Sequence, residues 1–355
     1  MADEEIKKAI ANVLGIFKVD SLKLEQEKIL KALLEKKDCI AVLPTGFGKS
    51  LPYQMLVPMK RELNIDDGGK VIVCSPLVAL MRDQSERLKS ITGISAEYKG
   101  GSTEGDERIE SGTVDYVFAS PEMLVGDKTW RSKIQAFNVS TIVIDEFHTI
   151  STWGEEQESE KQAFRKWFSY IGELRSLFPS ASVLALSATC TRKISKRVLK
   201  VLEMHKDTIE IRISPNKPNI KLVVKKIPNT VEMAMAWLVD AIEEGMLPRT
   251  IIYCTSIKDA SNLYSYLINE LTDVTLIEMY HSETPEENKT KIIQGLKELN
   301  SHLQFVIATS ALGMGVDIAN FYNVILFGAP NSVVDLIQEI GRVGRDGKDA
   351  VALLL

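Results

Sequence analysis

Short apolar runs rich in β-branched residues alternate, along the whole chain, with longer stretches of amphipathic helical periodicity. The runs CIAVL (39–43), VIVCS (71–75), YVFAS (116–120), TIVID (141–145) and VLALS (183–187) are continuously apolar, as in strands covered on both faces of a parallel sheet. A second set follows: TIIYC (250–254), LIEMY (276–280), FVIAT (305–309), NVILF (323–327) and AVALLL (350–355). The pattern predicts an α/β protein with two mainly parallel sheets of about five strands each, joined by crossover helices. Between the sets, RISPNKPNIKLVVKKIPN (212–229) carries three prolines and three asparagines and has poor helical periodicity. We place the junction there, with a first domain over 1–211, a linker over 212–229 and a second domain over 230–355.

A chain of 355 residues exceeds the length at which one hydrophobic core stops growing, which agrees with two domains. Its 45% apolar and 26% charged content is that of a globular protein, and no apolar run is long enough to span a membrane. The start, MADEEIKKAI, does not read as a signal peptide. An intracellular protein is expected, in the nucleus of a eukaryote or the cytoplasm of a bacterium. Cys39, Cys74 and Cys254 sit inside apolar runs, and with no C-x-x-C pair neither a disulfide framework nor an internal zinc site is expected. The net charge of −5 argues against binding polyanions over the whole surface, while a local basic groove remains compatible with it.

The octamer LPTGFGKS (43–50) follows a predicted buried strand and precedes a predicted helix. In that context Thr45, Gly46 and Gly48 bring backbone N–H groups close to phosphate oxygens, Lys49 pairs with the β and γ phosphates, and Ser50 ligates Mg²⁺. The alternative is an ordinary strand-to-helix turn with a surface lysine. TIVIDEFH (141–148) weakens that alternative by placing Asp145 and Glu146 directly after a strand, where α/β sheets bind ligands. Asp145 is then the metal ligand and Glu146 the residue that holds the attacking water. In QEIGRVGRDG (338–347), Arg342 and Arg345 are three apart, expected on one helix face to neutralise phosphate charge, with Gly341 and Gly344 keeping bulk away.

Together these residues resemble a superfamily 2 helicase, whose first motif has the form x-P-T-G-x-G-K-[ST], and within it most closely the RecQ family of DNA helicases. The resemblance implies two tandem RecA-like domains. FKVDSLKLEQEKI (17–29) is similar to the family's adenine-sensing motif, with Gln26 reading the base, flanked by Lys23 and Phe17. SPLVALMRDQ (75–84), with Ser75 and Arg82, and ASPEML (119–124) resemble loops that line the nucleic-acid strand. LSATCT (186–191) resembles the motif that links hydrolysis to domain movement, through Ser187 and Thr189. YHSETPEENK (280–289), ATSALGMGVD (308–317) and Gln338 extend the match into the second half.

Three departures stand out. EEQESEK (155–161) interrupts an aromatic loop in which Trp153, Phe164 and Arg165 are either nucleic-acid contacts or, for the two rings, core aromatics. Phe147 fills a position that is usually small, and His148 is either a relay or a structural histidine. The family's zinc-binding module does not appear before the sequence ends at AVALLL, so either the natural chain is longer or this is a bare motor core, and ATPase activity is a firmer expectation than unwinding. The resemblance implies ATP and Mg²⁺ as cofactors, single-stranded or 3′-tailed DNA as partner and 3′ to 5′ movement. The alternatives are an RNA-remodelling ATPase of the same superfamily and a non-catalytic ATP-dependent nucleic-acid clamp.

Overall fold

The computed structural model of the chain describes residues 3–149, 170–228, 230–298, 300–313 and 320–355. It resolves two compact units, Met1–Ser214 and Pro215–Leu355.

The first unit is built on a seven-stranded sheet: β1 (Cys39–Val42), β2 (Lys70–Cys74), β3 (Ala96–Tyr98), β4 (Tyr116–Ala119), β5 (Val139–Ile144), β6 (Ser182–Ser187) and β7 (Ile209–Arg212). All pairings are parallel, in the order β3-β4-β2-β5-β6-β1-β7. Alternate residues of each strand feed two separate cores, as a period of two requires. Cys39, Ala41, Val71, Val73, Leu184 and Leu186 pack on one face, against Leu30 and Leu33 of the helix Leu24–Leu34. Ile40, Val42, Ile72, Cys74, Val183 and Ala185 pack on the other, with Trp130 and Ile134 of the helix Lys128–Ile134. Burial on both faces explains why β1, β5 and β6 read as unbroken apolar runs.

The second unit holds β8 (Ile220–Val224), β9 (Thr250–Cys254), β10 (Ile277–Tyr280), β11 (Phe305–Ala308), β12 (Asn323–Phe327) and β13 (Ala350–Leu354). They form a parallel sheet in the order β10-β11-β9-β12-β13-β8. Two cores again lie on opposite faces, one through Ile251, Tyr253, Val306 and Val324, the other through Ile252, Cys254, Ile307 and Ile325.

Each unit is thus a parallel sheet flanked by helices, the tandem RecA-like architecture. The sheets are wider than expected, because β3, β7 and β8 lie at their edges. The stretch expected as a linker over 212–229 instead holds the end of β7 and all of β8. Its prolines 215, 218 and 228 flank β8 and do not interrupt it, and the strand is only half covered, so it lacks the apolar signature of its neighbours. No helix among the described residues is long and apolar enough to cross a membrane.

Candidate functional site

Strand order assembles the first unit's site, since β5, β6 and β1 are adjacent and parallel. Their carboxyl ends therefore deliver Asp145–Glu146, Ser187–Thr189 and the 43–50 loop to one edge of the sheet. Leu43 still belongs to the ladder, its N–H donating to Ser187 O at 3.0 Å. Beyond Pro44 the chain turns, Phe47 N–H donating to Pro44 O at 3.2 Å, with Gly46 (φ 79°) and Gly48 (φ 82°) in the left-handed region.

Gln26 braces this turn. Its Nε2 donates to Phe47 O and Gly48 O, both at 3.0 Å, and its Oε1 accepts from Lys23 N–H at 2.8 Å. A Cβ on Gly48 would stand 2.6 Å from Gln26 Nε2. Lys23 Nζ lies 4.2 Å over the Phe47 ring and donates to Phe47 O at 3.3 Å. Gln26 and Lys23 therefore reach the loop. Phe17 is buried in the core, and the aromatic ring at the loop is Phe47, which the motif pattern does not single out. Its signal in the sequence is its place between the two loop glycines.

The helix after the loop is broken into Leu51–Gln54 and Leu56–Glu62, because Pro58 has no N–H for the Gln54 carbonyl. Tyr116 of β4 repairs the break. Its hydroxyl donates to Gln54 O at 2.7 Å and accepts from Val57 N–H at 3.2 Å. Tyr53, fully buried, hydrogen-bonds Gln84, and Arg82 Nε donates to Tyr98 Oη at 3.4 Å on the exposed surface. Ser75 is buried at the end of β2, and its hydroxyl has no hydrogen-bond partner among the described residues.

At the end of β5, Asp145 N–H donates to Cys74 O at 2.9 Å and the side chain is 6% exposed. Glu146 takes φ 50°, a left-handed conformation that costs a non-glycine residue about 1 kcal/mol or more. Its N–H donates to Asp145 Oδ1 at 3.0 Å. Phe147 is fully buried in the second core, which accommodates its bulk away from the acids. Lys49 Nζ lies 3.5 Å from Glu146 Oε1, so in this state the lysine pairs with the carboxylate. His148 Nδ1 is 3.2 Å from Glu146 Oε2 and 2.8 Å from Ser187 Oγ, and Ser187 Oγ donates to Thr189 O at 2.9 Å. A polar path therefore runs from Lys49 through Glu146 and His148 to Ser187 and Thr189. Burial, then the Glu146 charge, pushes the Asp145 carboxyl up to about 6, against the opposing pull of Lys49.

These residues fit a metal–triphosphate. The two glycines have the left-handed conformation that a phosphate-cradling backbone uses, and Asp145 offers the carboxylate oxygens that a hard cation takes. Ser50 stands at the N-cap position of the helix start beside Lys49, its side chain making no capping bond.

In the second unit, the helix Val333–Ile340 carries half-buried Gln338 and closes at Gly341 (φ −67°). Arg342 and Arg345 consequently lie on the turn after the helix and not together on it, as expected from their spacing. Gly344 takes φ 58° and its N–H donates to Phe321 O at 3.1 Å, which bends the chain away from the helical path. Two further residues hold this turn. Lys217 Nζ donates to Gly341 O at 3.0 Å, and Asn219 Nδ2 donates to Gly344 O at 2.9 Å and Lys348 O at 2.7 Å. Burial, then Arg345 and Arg342, pushes the Lys217 amine down to about 8, so three cations converge here. Neither Lys217 nor Asn219 stands out in the sequence, because they precede β8 and meet the arginine turn only through the β8–β13 pairing. Trp153, Phe164 and Arg165 lie outside the described residues.

Residues 23–197 match the DEAD/DEAH box helicase family and residues 233–347 the helicase conserved C-terminal domain. The probable ATP-dependent DNA helicase RecS of Bacillus subtilis is 33% identical over 96% of this chain and 65% of its own length. ATP-dependent DNA helicase RecQ of Pasteurella multocida is 31% identical over 98% of this chain and 52% of its own. The chain thus spans between about half and two thirds of these relatives. A solved structure of Mycobacterium smegmatis helicase Lhr, bound to single-stranded DNA and AMP-PNP, shares the fold, with a TM-score of 0.71 and 20% identity over 99% of this chain and 47% of that one. With both domain matches in order, the chain carries two helicase domains and is similar to RecQ-type DNA helicases along nearly its whole length.

Proposed function

We propose that this chain is a nucleic-acid-stimulated ATPase that moves 3′ to 5′ on single-stranded or 3′-tailed DNA. The observation that carries the reading is the polar path at the ends of β1, β5 and β6, in which Lys49, Glu146, His148 and Ser187 are joined at 2.8–3.5 Å. Bound ATP would supply the phosphoanhydride, and Mg²⁺ the positive charge that relieves the Asp145–Glu146 repulsion. Lys49 and the loop amides of 45–50 bind phosphate, while Ser50 and Asp145 hold the metal. Glu146, released from Lys49, orients a water and takes its proton. His148 ties the Glu146 position to Ser187 and Thr189, so a change at the acid is felt at the loop after β6. Gln26 and Lys23 select adenine. Arg342, Arg345 and Gln338 are the phosphate-neutralising group of the second unit, and Ser75 and Arg82 the nucleic-acid contacts of the first.

Steady-state ATP hydrolysis without polymer, with single-stranded DNA and with single-stranded RNA tests this, with Lys49→Ala and Glu146→Gln as controls. Stimulation by DNA above RNA, abolished in both variants, is expected. Wild type indistinguishable from the variants under every condition refutes a motor and leaves a clamp. Displacement of a strand from 3′-tailed but not 5′-tailed duplex is the expected polarity.

A further inference from the structure

The helix Arg192–Val201 begins immediately after the Ser187–Thr189 loop, Thr191 Oγ1 accepting the Ile194 N–H at 3.3 Å as its cap. Its sequence RKISKRVLKV contains no acid. Ser195 and Val198 are buried, with Ile194, Leu199 and Val201 packed partly against the core, so Arg192, Lys193, Lys196, Arg197 and Lys200 face outward and are exposed.

This arrangement costs stability. Arg192 and Lys193 place positive charge in the first turn, against the helix dipole. The pairs Arg192–Lys196, Lys193–Arg197 and Lys196–Lys200 are all like-charged at i,i+4, which is unfavourable on a helix. Elsewhere this chain sets lysine against glutamate on its surface helices: Lys31–Glu27 at 3.0 Å, Lys291–Glu287 at 2.8 Å and Lys289–Glu286 at 2.8 Å. Among the described residues Arg192, Lys193, Lys196 and Lys200 have no ion pair, in a chain whose net charge is −5. A merely solvated face does not need such a concentration of one sign.

A 10-residue helix is about 15 Å long, the length over which one strand of a duplex presents about four phosphates. Four cations on long, flexible stems match that row. We propose that the outward face of Arg192, Lys193, Lys196 and Lys200 docks the phosphate backbone of duplex nucleic acid, using neither Ser75 nor Arg82, the single-strand contacts proposed above. The inference rests on the function proposed above and extends it from a single strand to the duplex beside it.

The test is equilibrium binding of a labelled 3′-tailed duplex and of its single strand, by anisotropy across about 50–200 mM salt. It compares the full chain with a variant carrying Arg192→Gln, Lys193→Gln, Lys196→Gln and Lys200→Gln. Each phosphate that the variant no longer neutralises lowers the slope of log K against log salt by about 0.9, so a fall of about 3–4 is expected for the duplex. Little change is expected for the single strand, and unchanged ATP turnover at saturating single-stranded DNA shows that the variant is folded. An unchanged duplex slope overturns the surface alone, with the proposed function intact. An equal loss of salt dependence toward a polyglutamate chain overturns the assignment to nucleic acid in favour of an acidic protein. Failure of the wild type to bind either DNA overturns both readings.

Discussion

Replacing Asp145 by asparagine should stabilise the protein while abolishing its activity. Asp145 is 6% exposed and lies beside Glu146, and its carboxyl is pushed from an ordinary 3.8 up to about 6. The folded state therefore binds its proton more tightly than the unfolded chain does. Stability from this group is complete below about pH 4 and is lost as pH rises through 6. A difference of about two pKa units corresponds to about 3 kcal/mol above pH 7 and about half of that near pH 5. Asparagine is neutral at every pH, and its carbonyl can still accept the Glu146 N–H that Asp145 Oδ1 accepts at 3.0 Å. Chemical denaturation in EDTA without nucleotide, at about pH 5, 6.5 and 8, should show Asp145→Asn more stable than wild type by a margin that widens with pH. A variant less stable at pH 8, or a margin independent of pH, refutes the claim that an ionised, crowded Asp145 burdens the nucleotide-free fold.

Tyr116→Phe should cost about 1–3 kcal/mol, because the Gln54 carbonyl that Pro58 cannot serve loses its donor and Val57 N–H its acceptor; thermal unfolding reads it, and a destabilisation under about 0.5 kcal/mol contradicts the account of the broken helix. Gly48→Ala should weaken binding of a fluorescent ATP analogue at least about tenfold, since the new Cβ stands 2.6 Å from Gln26 Nε2 in a left-handed residue. Titration of the variant with wild-type affinity would show that the loop holds phosphate some other way. Lys217→Met should lower kcat by about tenfold or more. In the wild type, kcat/KM should fall as pH rises past about 8, where the amine beside Arg342 and Arg345 loses its proton; a variant that keeps that alkaline limb assigns it to another group.

The ten apolar runs read from the sequence are all strands, because β-branched residues buried on both faces leave an unbroken signal. The strands that escape notice are β3, β7 and β8, each at a sheet edge. There one side of the ladder is open, and partial exposure dilutes the pattern, as in the half-covered IKLVV of β8. The site divides in the same way. Lys49, Asp145, Glu146 and Ser187 are legible because they lie at or shortly beyond the carboxyl ends of β1, β5 and β6, in motifs local to a few residues. Tyr116, Lys217 and Asn219 act on segments far along the chain, through pairings that only the sheet order creates, and so carry no local mark. The arginine turn reads as helical from its spacing because spacing alone does not register a glycine in the left-handed region at 344.

The charges of the two units lead to one further step. In the first, two carboxylates crowd a single lysine, and the cost appears in Asp145, held up to about 6. In the second, Lys217 is held down to about 8 by burial and by two arginines. Each cluster opposes folding of its own unit, in opposite senses: an excess of negative charge in one and of positive charge in the other. A divalent cation would relieve the first and a phosphate anion the second. The binding energy of either ligand need not be sought in new interactions alone, since part of it is repulsion already stored in the ligand-free unit. That is the physical basis for expecting each ligand to stabilise the unit whose cluster it neutralises.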